Sequence, residues 1–154
     1  MAIEQTLILI KPDGALRKLT GLTIDRLDAT GLEMVGAKMI AISEDLARDH
    51  YAALSDKPFF EGLIKYIRGE FHGLKDHRIL ALVYRGENAI KAVRAVAGAT
   101  NPEQAAPGTI RGSFGRITTA GRFENVIHAS SDPTDAEREV SLWFKPEEIL
   151  KQRP

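Results

Sequence analysis

The apolar positions of the chain group into short runs that turn residues separate. The first run, 6–10, is apolar without polar alternation, which predicts a central strand covered on both faces. The Lys-Pro-Asp-Gly sequence at 11–14 then predicts a turn. Further apolar runs predict strands at 32–42 and 79–84, and a last short strand that ends on His128.

Helices are predicted where apolar residues recur every three or four positions. Four such segments are 20–29, which Gly31 closes, 44–54, which Ser43 caps, 59–67 and 88–97. A last helix is predicted to open with a capping box at 134–137. The polar stretch 68–78 predicts an exposed turn or hairpin. The long connection 98–124 lacks periodicity, and its Gly, Pro, Thr and Arg residues favour a functional loop.

The order of these elements is strand, helix, strand, helices, strand, helix, strand. It predicts an α+β fold of the ferredoxin-like βαββαβ type, with a four-stranded antiparallel sheet that helices cover. No repeat or linker-like tract interrupts the chain, so we expect residues 1–154 to form a single domain.

Composition narrows the class of protein. The chain has no cysteine, which excludes disulfides, thiol nucleophiles and thiolate metal sites. Its 21 basic and 21 acidic residues balance, which argues against a dedicated nucleic-acid binder. Residues 1–5 lack the basic start of a signal peptide, and no apolar stretch approaches the ~20 residues of a membrane span. A cytoplasmic location is therefore expected.

His128 is the candidate for chemistry, because a strand that ends there presents an imidazole beside the helix that carries Glu139. Segments 100–102 and 107–112 supply the hydroxyls, amides and guanidinium that suit a polyphosphate. No glycine-rich phosphate loop is present, so side chains must hold the phosphates, and the candidates are Lys11, Arg94 and Arg111. These features predict a phosphoryl-transfer enzyme whose nucleophile is His128.

Each of these residues also has a structural interpretation. A lone histidine after a strand is more often structural than nucleophilic, and His50, His72 and His77 are interpreted as surface or packing residues. Tyr66 and Trp143 are interpreted as packing residues too. Of the adjacent phenylalanines we expect Phe60 in the core and Phe59 toward a ligand. Arg94 has the alternative of a solvated helix face, and Glu139 that of pairing with Arg138 or Lys145.

The chain resembles the nucleoside diphosphate kinase family over nearly its full length. Eight motifs in order carry the resemblance: 10–14 (IKPDG), 50–51 (HY), 57–63 (KPFFxGL), 86–89 (GxNA), 98–102 (GATNP), 107–112 (PGTIRG), 125–128 (NVIH), and 136–139 (AExE) running into 142–146 (LWFKP). The motifs are moderately specific singly and highly specific together.

This resemblance implies a ping-pong reaction. His128 takes the γ-phosphoryl group of a nucleoside triphosphate, mainly ATP, and passes it to a second nucleoside diphosphate through phosphohistidine. Ser130 and Glu139 orient the imidazole, and Tyr51 lies against it. Mg²⁺ arrives with the nucleotide rather than in a protein cage. The substrates are nucleoside tri- and diphosphates such as ATP, GTP, ADP and GDP, with broad base specificity.

The resemblance also implies a set of nucleotide-binding residues: Lys11, Phe59, Arg94, Thr100, Arg111 and Asn125. The two arginines and the threonine bind phosphates. Lys11 and Asn125 reach the ribose hydroxyls, and Lys11 also lies near the transferred group. Phe59 stacks on the base. Family members are usually hexamers and sometimes tetramers, and we expect a hexamer, with strand 32–42 as a possible dimer edge.

Two other classes of function stay open on the sequence alone. One is a non-catalytic ferredoxin-like module that binds nucleotide as a regulator. The other is a nucleic-acid-binding protein on the same sheet, although the neutral charge and apolar strands count against it.

The chain departs from the family pattern in four places. Segment 69–77 is longer than usual and is expected to lie away from the nucleophile. Segment 115–120 lengthens the loop before Asn125, nearer the base. Ala129 stands where glycine is common, and we expect it to have an ordinary negative φ. Asp132-Pro133 also replaces a more usual serine pair and is expected to stiffen the entry to the last helix.

Overall fold

The computed structural model describes residues 2–74 and 76–153. The predictions for residues 1–5 and for segment 69–77 therefore each include one residue, Met1 and Lys75, that lies outside the described residues. Four strands form an antiparallel sheet in the order β2-β3-β1-β6, as the ferredoxin-like prediction requires. The strands of this sheet are β1 Ile3–Ile10, β2 Glu33–Ala41, β3 Arg78–Glu87 and β6 Ile127–Ala129. A separate two-stranded hairpin pairs β4 Arg116–Ile117 with β5 Phe123–Glu124.

In the described part of the chain, seven α-helices accompany the sheet: α1 Pro12–Leu16, α2 Thr20–Asp28, α3 Glu44–His50, α4 Phe60–Ile67, α5 Ala89–Ala97, α6 Ile110–Phe114 and α7 Pro133–Trp143. Short 3₁₀ turns lie at Ala52–Leu54, Pro102–Gln104 and Pro146–Glu148. Within residues 2–74 and 76–153, no helix combines the length and apolar character that crossing a bilayer requires.

β1 lies between β3 and β6 and is buried on both faces, as predicted. Alternate residues of a strand point to opposite faces, so Leu7 and Leu9 enter one core while Ile8 and Ile10 enter the other. The first core is built with α3, α4 and α7, and the second with α2, α5 and α6. The central strand thereby fixes the position of β6, because Leu9 pairs directly with His128.

Two helix starts differ from the prediction. Residues 11–14 are not a free turn, because Pro12 occupies the first turn of α1, where its fixed φ and missing N–H are tolerated. The last helix begins at Pro133 rather than with a box at Thr134. Its cap is Asp132, whose side chain accepts a hydrogen bond from Asp135 N at 2.8 Å.

Two segments also differ in their inner structure. The predicted helix 44–54 has the expected Ser43 cap but stops at His50, and a separate 3₁₀ turn follows. The connection 98–124 is not structureless, since it contains a 3₁₀ turn, α6 and the hairpin. Thr109 caps α6 by accepting from Gly112 N at 3.0 Å. These elements are too short to show a period in the sequence.

Candidate active site

A cavity of about 840 Å³ opens where the end of β6, the start of α4 and the β4–β5 hairpin meet. Nine of the predicted site residues line it: Lys11, Tyr51, Phe59, Arg94, Thr100, Arg111, Asn125, His128 and Glu139. The tenth, Ser130, lies behind the cavity wall and is fully buried. The structure therefore brings together residues that are spread over most of the chain.

A chain of hydrogen bonds holds the imidazole of His128. Leu7 N donates to Ser130 Oγ at 3.1 Å, and Ser130 Oγ donates to Glu139 Oε1 at 2.8 Å. The same carboxylate oxygen lies 2.7 Å from His128 Nε2. A carboxylate accepts, so Nε2 is the protonated ring nitrogen. The predicted contact between Glu139 and His128 is present, and Arg138 approaches Glu139 only to 3.9 Å.

The second ring nitrogen of His128, Nδ1, has no hydrogen bond to any residue in the described part of the chain. The side chain is 15% exposed and lines the cavity. Burial, reinforced by the charges of Lys11 and Arg111, holds the pKa of His128 well below its ordinary value. The imidazole is therefore neutral at neutral pH and presents a free lone pair to the cavity.

His50 packs against this imidazole and is not a surface residue. It is 4% exposed, and its ring centroid lies 4.5 Å from that of His128 in an edge-to-face arrangement. Trp143 Nε1 donates to His50 Nδ1 at 3.0 Å, so both residues have a polar partner as well as a packing role. Burial lowers the pKa of His50 well below its usual value, and His128 lowers it further. The HY motif was the one sequence signal that pointed to this position.

Lys11 lies at the end of β1 and is 8% exposed. Its Nζ donates to Asn125 Oδ1 at 2.8 Å, and Asn125 Nδ2 donates to the Thr100 carbonyl at 2.9 Å. Burial, together with the charge of Arg111, lowers the pKa of Lys11 to about 7, although Asp13 opposes the shift. An amine with so low a pKa is only partly charged at neutral pH, and an anion that binds beside it favours its charged form.

Arg111 supplies a fixed guanidinium. Its two Nη atoms donate to the carbonyls of Gly98 at 3.0 Å and Ile127 at 2.8 Å, while its buried Nε has no partner among the described residues. Arg94 lines the same cavity from α5, and its charge acts on Arg111. Two unneutralised guanidinium groups near a neutral imidazole favour a polyanionic ligand.

The two phenylalanines lie where the sequence predicted, whereas Tyr66 has a polar contact that was not predicted. Phe60 is buried in the core, and Phe59 is 53% exposed at the cavity mouth. The hydroxyl of Tyr51 is buried without a hydrogen bond in the described part of the chain, and burial raises its pKa. Tyr66 is not a simple packing residue, because its hydroxyl donates to the Asp13 carboxylate.

Segment 69–77 was expected to lie away from the nucleophile, and none of its described residues lines the cavity, but it packs against the hairpin that does. Phe71 packs on Arg122, whose Cζ lies 3.6 Å from the ring centroid. His72 Nε2 lies 2.9 Å from Glu124 of β5. Through Phe71 and His72, segment 69–77 therefore packs against the β4–β5 hairpin. Residues 120–123 of the hairpin form one wall of the cavity.

The donor set of the site suits phosphate better than a resident cation. Within the described residues, His50, His128 and Glu139 form a cluster of potential metal ligands whose ligand atoms lie within 4.8 Å of one another. However, Glu139 already accepts from His128 and Ser130, and the cations of Lys11 and Arg111 lie close by. Magnesium prefers carboxylate and phosphate oxygens, and the carboxylate of this cluster is already engaged.

The comparisons with known proteins agree with this geometry. The sequence model of the nucleoside diphosphate kinase family matches residues 4–149. A nucleoside diphosphate kinase of Archaeoglobus fulgidus is 47% identical over 148 residues, which cover 96% of this chain and 91% of that protein. Nucleoside diphosphate kinase A of Mus musculus is 43% identical over 150 residues, which cover 97% of this chain and 91% of that protein.

Solved structures show the same fold. A transition state mimic of the nucleoside-diphosphate kinase of Borrelia burgdorferi, with bound vanadate and ADP, has a TM-score of 0.86 at 36% identity and covers 99% of this chain and 93% of its own. The Halobacterium salinarum kinase in complex with CDP has a TM-score of 0.85 at 40% identity, with coverage of 99% and 95%.

Together, the fold and the relatives define a phosphotransferase. More particularly, the chain belongs to the nucleoside diphosphate kinase family.

Proposed function

We propose that this chain transfers the γ-phosphoryl group of a nucleoside triphosphate, mainly ATP, to nucleoside diphosphates by a ping-pong reaction through phosphohistidine on His128. The observation that carries the proposal is the difference between the environments of the two imidazole nitrogens. Nε2 donates to Glu139 at 2.7 Å, while Nδ1 faces a cavity that Lys11, Arg94 and Arg111 line.

The first half-reaction follows from the different environments of Nδ1 and Nε2. The Nδ1 lone pair attacks the γ-phosphorus, so a P–N bond forms as the bond to the β,γ-bridging oxygen breaks and the diphosphate leaves. The ring keeps its proton on Nε2 and gains a positive charge, which the Glu139 carboxylate stabilises. A second diphosphate then attacks the same phosphorus along the reverse path. No general base is required, because the nucleophile is already neutral.

The cations bind and align the phosphates. Arg94, Arg111 and the Thr100 hydroxyl hold the phosphate oxygens, since a guanidinium fork meets two of them at once. Lys11 and Asn125, which already contact each other at 2.8 Å, reach the ribose hydroxyls and the transferred group. Tyr51 contributes its unpaired hydroxyl at the imidazole.

The base binds at the cavity mouth against Phe59. Stacking on an exposed aromatic ring accepts every base, so broad specificity is expected. The diphosphates bound in two related structures, ADP and CDP, are consistent with that range. Mg²⁺ enters as part of the nucleotide substrate, because the protein offers phosphate-binding cations rather than a carboxylate cage.

Assembly and location complete the proposal. β2 is an edge strand of the sheet, and Met39 on it is 58% exposed. An open edge with an apolar side chain favours pairing with a second copy. We propose a homo-oligomer built from such dimers, a hexamer rather than a tetramer, working in the cytoplasm. Light scattering coupled to size exclusion measures its mass directly.

Transfer between different bases tests the proposed reaction. The chain is incubated with labelled ATP, separated from nucleotide, and mixed with CDP. Ping-pong transfer predicts a stable labelled protein that gives labelled CTP, and His128→Ala should abolish both steps. The matched control is His77→Gln, a histidine outside the cavity lining that should label normally. Labelled CTP that forms only while ATP and CDP are present together would contradict a phosphoenzyme. No transfer at all would favour the regulatory module.

A further inference from the structure

Arg122 lines the cavity but has no role in the proposed reaction. Arg122 belongs to the turn of the β4–β5 hairpin and lines the cavity, as Phe59 does from the start of α4. Both are only partly buried, whereas Lys11 and Arg111 are buried. Arg122 therefore lies on the exposed part of the wall, where the base is proposed to bind, and not at the buried phosphate end.

The guanidinium of Arg122 is held in place. Its Cζ lies 3.6 Å from the centroid of the Phe71 ring, a stacking distance. The backbone beneath it is fixed as well, because Arg122 N donates to Thr118 Oγ1 at 3.0 Å and Thr118 N donates to the Arg122 carbonyl at 2.9 Å. A guanidinium that is already stacked in the free protein loses less conformational entropy when it binds a ligand.

The edge of this guanidinium is available. Among residues 2–74 and 76–153, no carboxylate forms a salt bridge with Arg122 and no acceptor takes a hydrogen bond from its side chain. The neighbouring Arg116, by contrast, pairs with Glu124 at 2.8 Å. Stacking on Phe71 occupies one face of the guanidinium and leaves its N–H edge for a ligand.

The wall beneath Arg122 is braced by segment 69–77. Glu124 is buried and accepts from both Arg116 and His72, at 2.8 and 2.9 Å. Phe71 and His72, which are adjacent, thus contact Arg122 just before β5 and Glu124 within it. Segment 69–77, none of whose described residues lines the cavity, thereby positions the cation on the base side.

We propose that Arg122, stacked on Phe71, recognises the base and gives this chain a preference for guanine nucleotides; the proposal rests on the nucleotide site proposed above. The arginine fork matches the O6 and N7 acceptors of guanine, whereas adenine presents an N6 donor in place of O6. Cytosine presents its N4 amino donor, which cannot accept a hydrogen bond from arginine. Because the contact is partly exposed, guanine is favoured by about fivefold, the low end for a bidentate pair.

Equilibrium binding tests this preference without any chemistry. Calorimetry with GDP, ADP and CDP should show GDP bound about fivefold more tightly than ADP by the unsubstituted chain. In Arg122→Met, which keeps a long side chain but has no hydrogen-bond donor, the ratio should fall to about one while ADP affinity stays within about twofold. Phe71→Leu should also lower the ratio. Arg78→Gln removes an arginine outside the cavity lining and should leave it unchanged.

A ligand-side test avoids substitution altogether. 7-Deaza-GDP lacks the N7 acceptor, so it should bind the unsubstituted chain about as weakly as ADP. Equal affinity for GDP and ADP, or a GDP preference that survives in Arg122→Met, overturns the inference. Failure of the proposed function looks different: a chain that prefers GDP but never forms phosphoenzyme would keep this inference and lose the kinase reaction.

Discussion

The Asp13 carboxylate accepts a hydrogen bond from the backbone N–H of Val126 at 3.0 Å, and Val126 has a φ of 74°. A β-branched residue in the left-handed region is strained by about 1–3 kcal/mol. Lys11 N donates to the Val126 carbonyl at 2.9 Å, so both sides of this residue are held by the segment after β1. Ala129, where glycine is common in the family, is not among the residues with positive φ, as predicted; the strain lies three residues earlier.

Removal of Asp13 should release that strained residue. Asp13→Ala leaves the buried Val126 N–H and the Tyr66 hydroxyl without their acceptor, so we expect the free energy of unfolding to fall by about 2–4 kcal/mol. Urea unfolding measures the change. We also expect slower phosphorylation, because Asn125 and His128 flank the released segment.

The matched control is Asp25→Ala, which removes an exposed aspartate from α2. It should change stability by less than about 0.5 kcal/mol. Equal effects of the two substitutions would show that the backbone at Val126 does not depend on Asp13.

Glu139→Gln tests the orientation of the nucleophile. The amide keeps the size of the side chain but loses the charge that stabilises the phosphorylated ring, and it offers an N–H where Nε2 needs an acceptor. We expect the phosphorylation rate to fall roughly 10–100-fold with unchanged affinity for ADP. Rapid-quench kinetics and calorimetry measure the two quantities. Glu137→Gln, an exposed neighbour on α7, should have no effect on either. Weakened ADP binding with a normal rate would assign Glu139 to the nucleotide instead.

Lys11 should make nucleotide affinity depend on pH. Its pKa in the free protein is lowered to about 7, and a bound phosphate favours the charged amine. The attraction is therefore present below about pH 7 and is lost as pH rises through that value. ADP affinity should fall above pH 7 by at most about tenfold per pH unit, relative to Lys11→Gln. Parallel pH profiles of the two proteins would contradict the assignment.

The lowered pKa of Lys11 also predicts how the free energy of unfolding changes with pH. The pKa of Lys11 is lower in the folded protein than its ordinary 10.5, so folding disfavours the charged form. Relative to Lys11→Gln, the unfolding free energy of the unsubstituted chain should rise with pH between about 7 and 10.5. A fall over this window would show that the amine is charged and paired in the folded state.

Phe59→Ala tests the stacking surface. Loss of the exposed ring should weaken nucleoside diphosphate binding by about 1–3 kcal/mol for every base. Inorganic tripolyphosphate, which has no base, should bind Phe59→Ala and the unsubstituted chain equally. A loss of tripolyphosphate binding would mean that Phe59 supports the phosphate end of the cavity rather than the base.

The sequence predicted the sheet and most of the cavity for a physical reason. The apolar run of β1 determines a central strand, and His128 pairs with Leu9 on it. Residues whose roles depend on contacts distant in sequence were predicted less well. Tyr66 meets Asp13 across 53 residues, and Phe71 meets Arg122 across two irregular segments. No period or spacing in the chain signals such contacts. His50 was interpreted as a surface or packing residue; it does pack, but its contact with His128 depends on residues distant in sequence.

Phosphorus NMR of the isolated phosphoenzyme tests the central claim most directly. After reaction with ATP, we predict one acid-labile, base-stable phosphohistidine signal with the shift of an Nδ1 adduct. It should disappear on addition of a nucleoside diphosphate and be absent from His128→Ala. A signal from an Nε2 adduct, from a phosphoserine, or from a histidine that persists in His128→Ala would contradict the account.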